Sequence, residues 1–223
     1  MIITKGGYKI SNVVVSSILG IAGNGILPLR VISPRYNQFI SLVIKSGTTV
    51  LGKSFTYQKW IGNFIIWKPW TWKYIQKLEG DGLFNAYGLT NDGYHQECPR
   101  IIKSRKRGNK IMPSIFLDFF RKECSALEQA ASIIQDAGFD MVEFDFSCPN
   151  TKEDIAKNIR GASYVCERIR EYINNPRLVI IAKISYVHSY EFSEELESVG
   201  VDIIHAINAI PWKIVYPGKI SPL

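Results

Sequence analysis

Glu143-Phe144-Asp145-Phe146-Ser147-Cys148-Pro149-Asn150-Thr151 reads as a β-strand that ends in a loop with a cysteine at its tip. Side chains alternate across a strand, so Met141, Glu143, Asp145 and Ser147 share one face, and Val142, Phe144 and Phe146 the other. The apolar face is suited to a covering layer of helices, which leaves the polar face to line something else. In a parallel β/α protein, polar residues gathered at the carboxyl end of a strand line the ligand site. A thiol in that place is a candidate catalytic base, and a buried, inert thiol in a strand-to-helix turn is the alternative use of a free cysteine.

Outward from this strand, apolar runs alternate with amphipathic stretches, as repeated β/α units around a parallel sheet require. Strands are predicted over residues 13–21, 49–55, 111–117, 141–146, 178–184 and 202–207. Ile155, Ile159, Ala162, Cys166, Ile169 and Ile173 recur at steps of three and four and predict a helix with one buried stripe. Leu127, Ala130, Ala131, Ile134 and Ala137 predict another, capped by Gly138. At 223 residues and 46% hydrophobic content, residues 1–223 form a single domain, with an aromatic excursion over 56–74 that holds four of the five tryptophans.

No long apolar run is present, so no transmembrane helix is predicted, and the broken apolar stretch from Val13 does not read as a signal peptide. Cys98, Cys124, Cys148 and Cys166 show neither CxxC pairing nor His spacing, so no metal site is predicted and a reducing cytoplasm is the expected compartment. A net charge of +7 favours anionic partners. The basic cluster Lys103, Arg105, Lys106, Arg107 and Lys110 surrounds a Gly108-Asn109 turn and reads as solvated surface rather than a nucleic-acid site.

Five segments in order resemble the dihydroorotate dehydrogenases. Phe146-Ser147-Cys148-Pro149-Asn150 is similar to the cysteine loop of that family, and 83–93, with Asn85-Ala86-Tyr87-Gly88-Leu89-Thr90-Asn91-Asp92-Gly93, to its N-A-x-G-L-x-N-x-G segment. Lys53-Ser54 resembles the pair after the second strand, Ala182-Lys183-Ile184-Ser185 the fifth strand and Ile207-Asn208-Ala209-Ile210 the sixth. The resemblance implies a (β/α)8 TIM-type barrel with FMN, oxidising dihydroorotate to orotate by passing a hydride to the flavin. It makes Cys148 the base, and it assigns substrate contacts to Asn85, Asn150, Asn208 and the position of Asp145. Flavin contacts fall to Ala22 and Gly23 in the loop after the first strand, and to Lys53, Ser54 and Lys183. The cysteine points to the soluble branch, with no membrane partner, a small dihydropyrimidine as substrate and a homodimer left open.

Three departures stand against that pattern. About six of eight β/α units are read, and the glycine-rich phosphate loops of the last two are missing, so the resemblance implies a fragment of a longer protein. Asp145 stands where the family has Asn; a carboxylate only accepts hydrogen bonds and repels an anionic orotate. The excursion reads Gly62-Asn63-Phe64-Ile65-Ile66-Trp67 in place of G-N-P-x-P-R. Its aromatics are expected to form a hairpin packed over the barrel mouth, in preference to stacking nucleic-acid bases or touching a membrane interface. The competing readings are a dihydrouridine synthase-like flavoenzyme that binds tRNA, and a non-catalytic barrel remnant that binds a partner. His205 is expected to pack against the helix layer.

Overall fold

The computed structural model describes residues 2–4, 7–78, 83–119, 125–147, 159–186, 188–206 and 210–221. An antiparallel hairpin, β1 (Ile2–Ile3) and β2 (Lys9–Ile10), precedes β3 (Val14–Val15), α1 (Leu27–Ile32), α2 (Pro34–Lys45), β4 (Thr49–Leu51) and β5 (Phe55–Thr56). A 3-10 helix at Pro69–Tyr74 leads into a second antiparallel hairpin, β6 (Ile75–Lys77) and β7 (Leu83–Asn85). Then follow α3 (Tyr94–Lys106), β8 (Ile111–Met112), β9 (Ser114–Phe116), α4 (Ala126–Ala137) and β10 (Met141–Asp145). The chain continues through α5 (Ile159–Tyr172), β11 (Val179–Lys183), α6 (Tyr190–Ser198), β12 (Ile203–His205) and α7 (Trp212–Val215).

Every strand from β3 onward, the β6–β7 hairpin apart, pairs in parallel with its neighbour in chain order. β3 pairs with β4, β4 with β8, β5 with β9, β9 with β10, β10 with β11 and β11 with β12. β4 and β5 are one strand interrupted at Gly52-Lys53-Ser54, and β8 and β9 are one strand interrupted at Pro113. The register slips by one residue across the interruption: Leu51 faces Met112, whereas Phe55 faces Ile115. One extra residue in a ladder re-aims the side chains beyond it, and here it brings Ser54 over Ser114. The fold is therefore α/β, with parallel strands in two adjoining ladders, β3-β4-β8 and β5-β9-β10-β11-β12, and helical crossovers; closure into a barrel is not seen among the described residues.

The two faces of the sheet separate as strand alternation demands. Val142, Phe144, Phe146, Ile180 and Ala182 join α3 to α6 in the main core, with Ala130, Ile133, Cys166, Ile169 and Leu196 from the helices. On the inner face, Leu51, Met112, Met141, Val179 and Ile181 form a second core at the amino ends of the strands, closed by Tyr8 and Ile10 of the first hairpin. α4 has the start and stop its sequence calls for: Ser125 and Glu128 form a reciprocal capping box, and Gly138 ends the helix in the left-handed region at φ 60°.

Several expectations need correction. The first strand is much shorter than 13–21, because the chain enters a series of turns at Ser17 in which Gly20 and Gly23 take φ of 73° and 63°. The fourth and fifth strands lie where expected, with slightly narrower bounds, and the sixth is seen at Ile203–His205, its expected end at 207 lying outside the described residues. The aromatic excursion is not a packed hairpin: Trp67, Trp70 and Trp72 stand 78%, 70% and 53% exposed. Thr71 takes the buried position of that segment instead, with its Oγ1 donating to Lys68 and Ile65 carbonyls and accepting from Ile65 N.

Candidate active site

Past the apolar inner core, the inner face turns polar toward the carboxyl ends of the strands. Ser54, Ser114, Glu143, Asp145 and Ser147 are all buried there. Ser114 Oγ donates to Glu143 Oε1 at 2.7 Å, and the other oxygen of that carboxylate lies 2.7 Å from His205 Nδ1. Ser54 Oγ donates to Asp145 Oδ2 at 2.7 Å and touches Ser114 Oγ at 2.9 Å. Lys183 Nζ reaches the same Asp145 oxygen at 3.4 Å, while Oδ1 accepts from Ser147 N and Oγ. One hydrogen-bonded chain thus spans five successive strands of the sheet.

Its chemistry follows from counting hydrogens. Each serine hydroxyl owns one, yet the path Glu143–Ser114–Ser54–Asp145 contains three links. With Ser114 donating to Glu143 and Ser54 to Asp145, both hydrogens are used, and the 2.9 Å contact between the two hydroxyl oxygens is left without one.

Of the residues expected at the site, the structure joins three directly: Ser54, Asp145 and Lys183. Lys53 lies close by in chain and space; its backbone N donates to Gly20 O, and its Nζ donates to Thr90 O and stands 4.3 Å from the Tyr87 ring centre. That bond brings the 20–25 loop, with Ala22 and Gly23, against the end of the second strand. Gly23 itself is a packing residue, since a Cβ there would meet Ile111 and Val50 side chains. Asn85 is exposed on β7 opposite Ile75 and joins the network by no hydrogen bond among the described residues. Cys148, Asn150 and Asn208 lie outside the described residues.

His205 is the site residue that sequence reasoning misplaced. It was expected on the helix layer, but β12 pairs with β11 so that His205 sits beside Lys183 on the inner face. Ser114 was missed altogether, hidden in an apolar run after Pro113. The second Asn of the 83–93 segment, Asn91, is structural: its side chain accepts from Gly93 N and Thr56 N and donates to Leu89 O. It thereby holds Leu89 at φ 41°, a conformation that costs a non-glycine residue free energy.

Lys53 and Lys183 bring positive charge to the carboxyl ends of the second and fifth strands, that of Lys183 paired with Asp145. No family model matches the chain, and no curated protein matches it.

Proposed function

We propose that this chain is a flavin-dependent oxidoreductase of the dihydroorotate dehydrogenase type, built on a (β/α)8-type barrel, acting on a CH–CH bond of a dihydropyrimidine. The observation that supports this most is the polar inner face at the carboxyl ends of sequential parallel strands, where Ser54, Asp145 and Lys183 meet. That is where such a fold places its chemistry, and Cys148 follows Asp145 by three residues in the same strand-to-loop segment.

FMN, when bound, would supply the hydride acceptor. The work of the chain is then to take a proton and to orient the ring. Cys148 takes the proton as thiolate, Asn150 and Asn208 offer donors and acceptors to a pyrimidine edge, and the lysines place positive charge beside the ring. Asp145 already accepts from Ser54, Lys183 and Ser147, so it holds Lys183 in place rather than pairing with substrate. A buried carboxylate in that position favours a ring without its own carboxylate, which makes a neutral dihydropyrimidine the better substrate.

The test is direct. Purified protein, as isolated or after incubation with FMN, should carry the visible absorbance of a bound flavin, bleached anaerobically by dihydrouracil or dihydroorotate. Cys148→Ala should slow that bleaching by about two to four orders of magnitude, the range for loss of a positioned base. A protein that binds no flavin under either condition refutes the proposal and favours a non-catalytic binding role.

A further inference from the structure

Charge is distributed very unevenly along this chain. The first 78 residues hold ten of the 27 Lys and Arg and none of the 20 Asp and Glu; the remainder, with 17 basic against 20 acidic residues, is slightly negative. Within the basic part lies the aromatic excursion, where Ile61 is 74% exposed alongside Trp67, Trp70 and Trp72.

These side chains form one patch rather than scattered exposures. Ile61, Ile66, Trp67 and Lys68 line the same cleft, of about 480 Å³, whose two carboxylates are already paired, Asp92 with Lys59 and Glu97 with Arg100. Trp72 donates its Nε1–H to the Ile66 carbonyl, and Lys68 stands over the Trp70 ring. The backbone beneath is fixed: Trp60 and Asn91 exchange both backbone hydrogen bonds, Asn63 N and Phe64 N donate to Tyr87 O, and Thr90 Oγ1 donates to Phe64 O. The indoles are therefore presented to solvent by a braced platform, although burying them would be favourable.

We propose that this patch docks the protein on an anionic phospholipid surface, with the indoles and Ile61 at the headgroup boundary and Lys68 and Lys73 above it. Trp and Ile mixed with Lys is the chemistry of that boundary, where an indole has both an apolar body and a polar edge and lysines attract acidic headgroups. Nucleic acid fits less well: no Arg occurs between residues 36 and 99, and Arg is the residue suited to phosphate forks and base stacking. The inference concerns peripheral docking and is independent of the flavin reading; no helix among the described residues is long and apolar enough to cross a membrane.

Sedimentation with vesicles tests it. The full chain should bind phosphatidylcholine vesicles containing about one-third phosphatidylserine, and bind pure phosphatidylcholine vesicles far more weakly, with binding falling as salt rises. Trp67→Ser combined with Trp70→Ser should weaken binding about tenfold or more. Lys68→Gln combined with Lys73→Gln should weaken it about fivefold for each lysine. Trp67, Trp70 and Lys73 are exposed and Lys68 is half-buried, and an unchanged unfolding midpoint confirms that each variant is folded. Equal binding by wild type and the tryptophan variant, or no binding to acidic vesicles, overturns the proposal. So does a protein that ignores vesicles but loses single-stranded RNA binding, or a light-scattering dimer, on the tryptophan substitutions.

Discussion

Asp145 shows how a single carboxylate can be committed by its neighbours. Its two oxygens accept from Ser54, Lys183 and Ser147, so Asp145→Asn would turn one acceptor into a donor facing donors. Breaking a buried, hydrogen-bonded charge pair costs about 3 kcal/mol, and the urea unfolding midpoint should fall accordingly. A midpoint within error of wild type would mean that the Lys183 contact is not formed in solution. His188 provides a second residue-scale test. Burial holds its imidazole below the ordinary value, its Nδ1 accepts from Ser185 N, and its Nε2 is buried without a hydrogen-bond partner. As pH falls the unfolded chain therefore takes up a proton before the folded one does. The stability this site contributes is full above the ordinary histidine value of about 6.5 and drains away as pH drops below it. Melting temperature measured between about pH 8 and pH 5 should decline over that window, and His188→Gln should flatten the decline. The thiols contrast with the candidate base: burial pushes Cys98 and Cys166 up to about 12, so neither should react with a thiol reagent until the protein unfolds.

Among the elements, the aromatic excursion is held by a contact that only glycine permits. A Cβ on Gly62 would lie 1.7 Å from the Gly88 carbonyl oxygen, backbone that cannot yield without moving the 86–91 segment. Gly62→Ala should cost up to about 3 kcal/mol, as overpacking does, and should open the excursion to proteolysis. Gly108→Ala is the control: a Cβ there meets nothing within 4 Å, so only its positive φ resists, at about 1–2 kcal/mol. Equal losses from the two substitutions would show that the Gly62–Gly88 approach is not what braces the segment. The same element marks where the sequence is hard to read. Four tryptophans suggested burial by their hydrophobicity, and Trp60 does pack against Leu89 and Phe116, but Pro69 starts a 3-10 helix whose short turn puts Thr71 inside and leaves Trp70 and Trp72 out, with Trp67 exposed just before it. β10 was legible for the opposite reason, because its period-two pattern is strict and its apolar face is wholly aromatic or branched. β12 was not: Ile203 and Ile204 make both faces apolar, and only the pairing of His205 with Lys183 decides which way the histidine points.

At the scale of the whole molecule, the inner face is divided into an apolar floor and a polar mouth, and the mouth is one network rather than a set of pairs. The floor, with Leu51, Met112, Met141, Val179 and Ile181, was predictable from alternation once the strands were placed. The linkage above it was not, because it depends on the register slip at Gly52-Lys53-Ser54 that carries Ser54 over Ser114. If Glu143 is the hub, Ser114 and His205 compete and cooperate through its two oxygens although they come from strands that are not neighbours. A double-mutant cycle measures this. Ser114→Ala and His205→Asn should each destabilise the protein, and the pair should depart from additivity by about 0.5–3 kcal/mol, the range for residues sharing one hydrogen-bonded partner. Glu143→Gln should abolish that coupling, since an amide can no longer accept at both positions. Additivity within about 0.3–0.5 kcal/mol in the wild-type background would mean that the strands carry separate pairs.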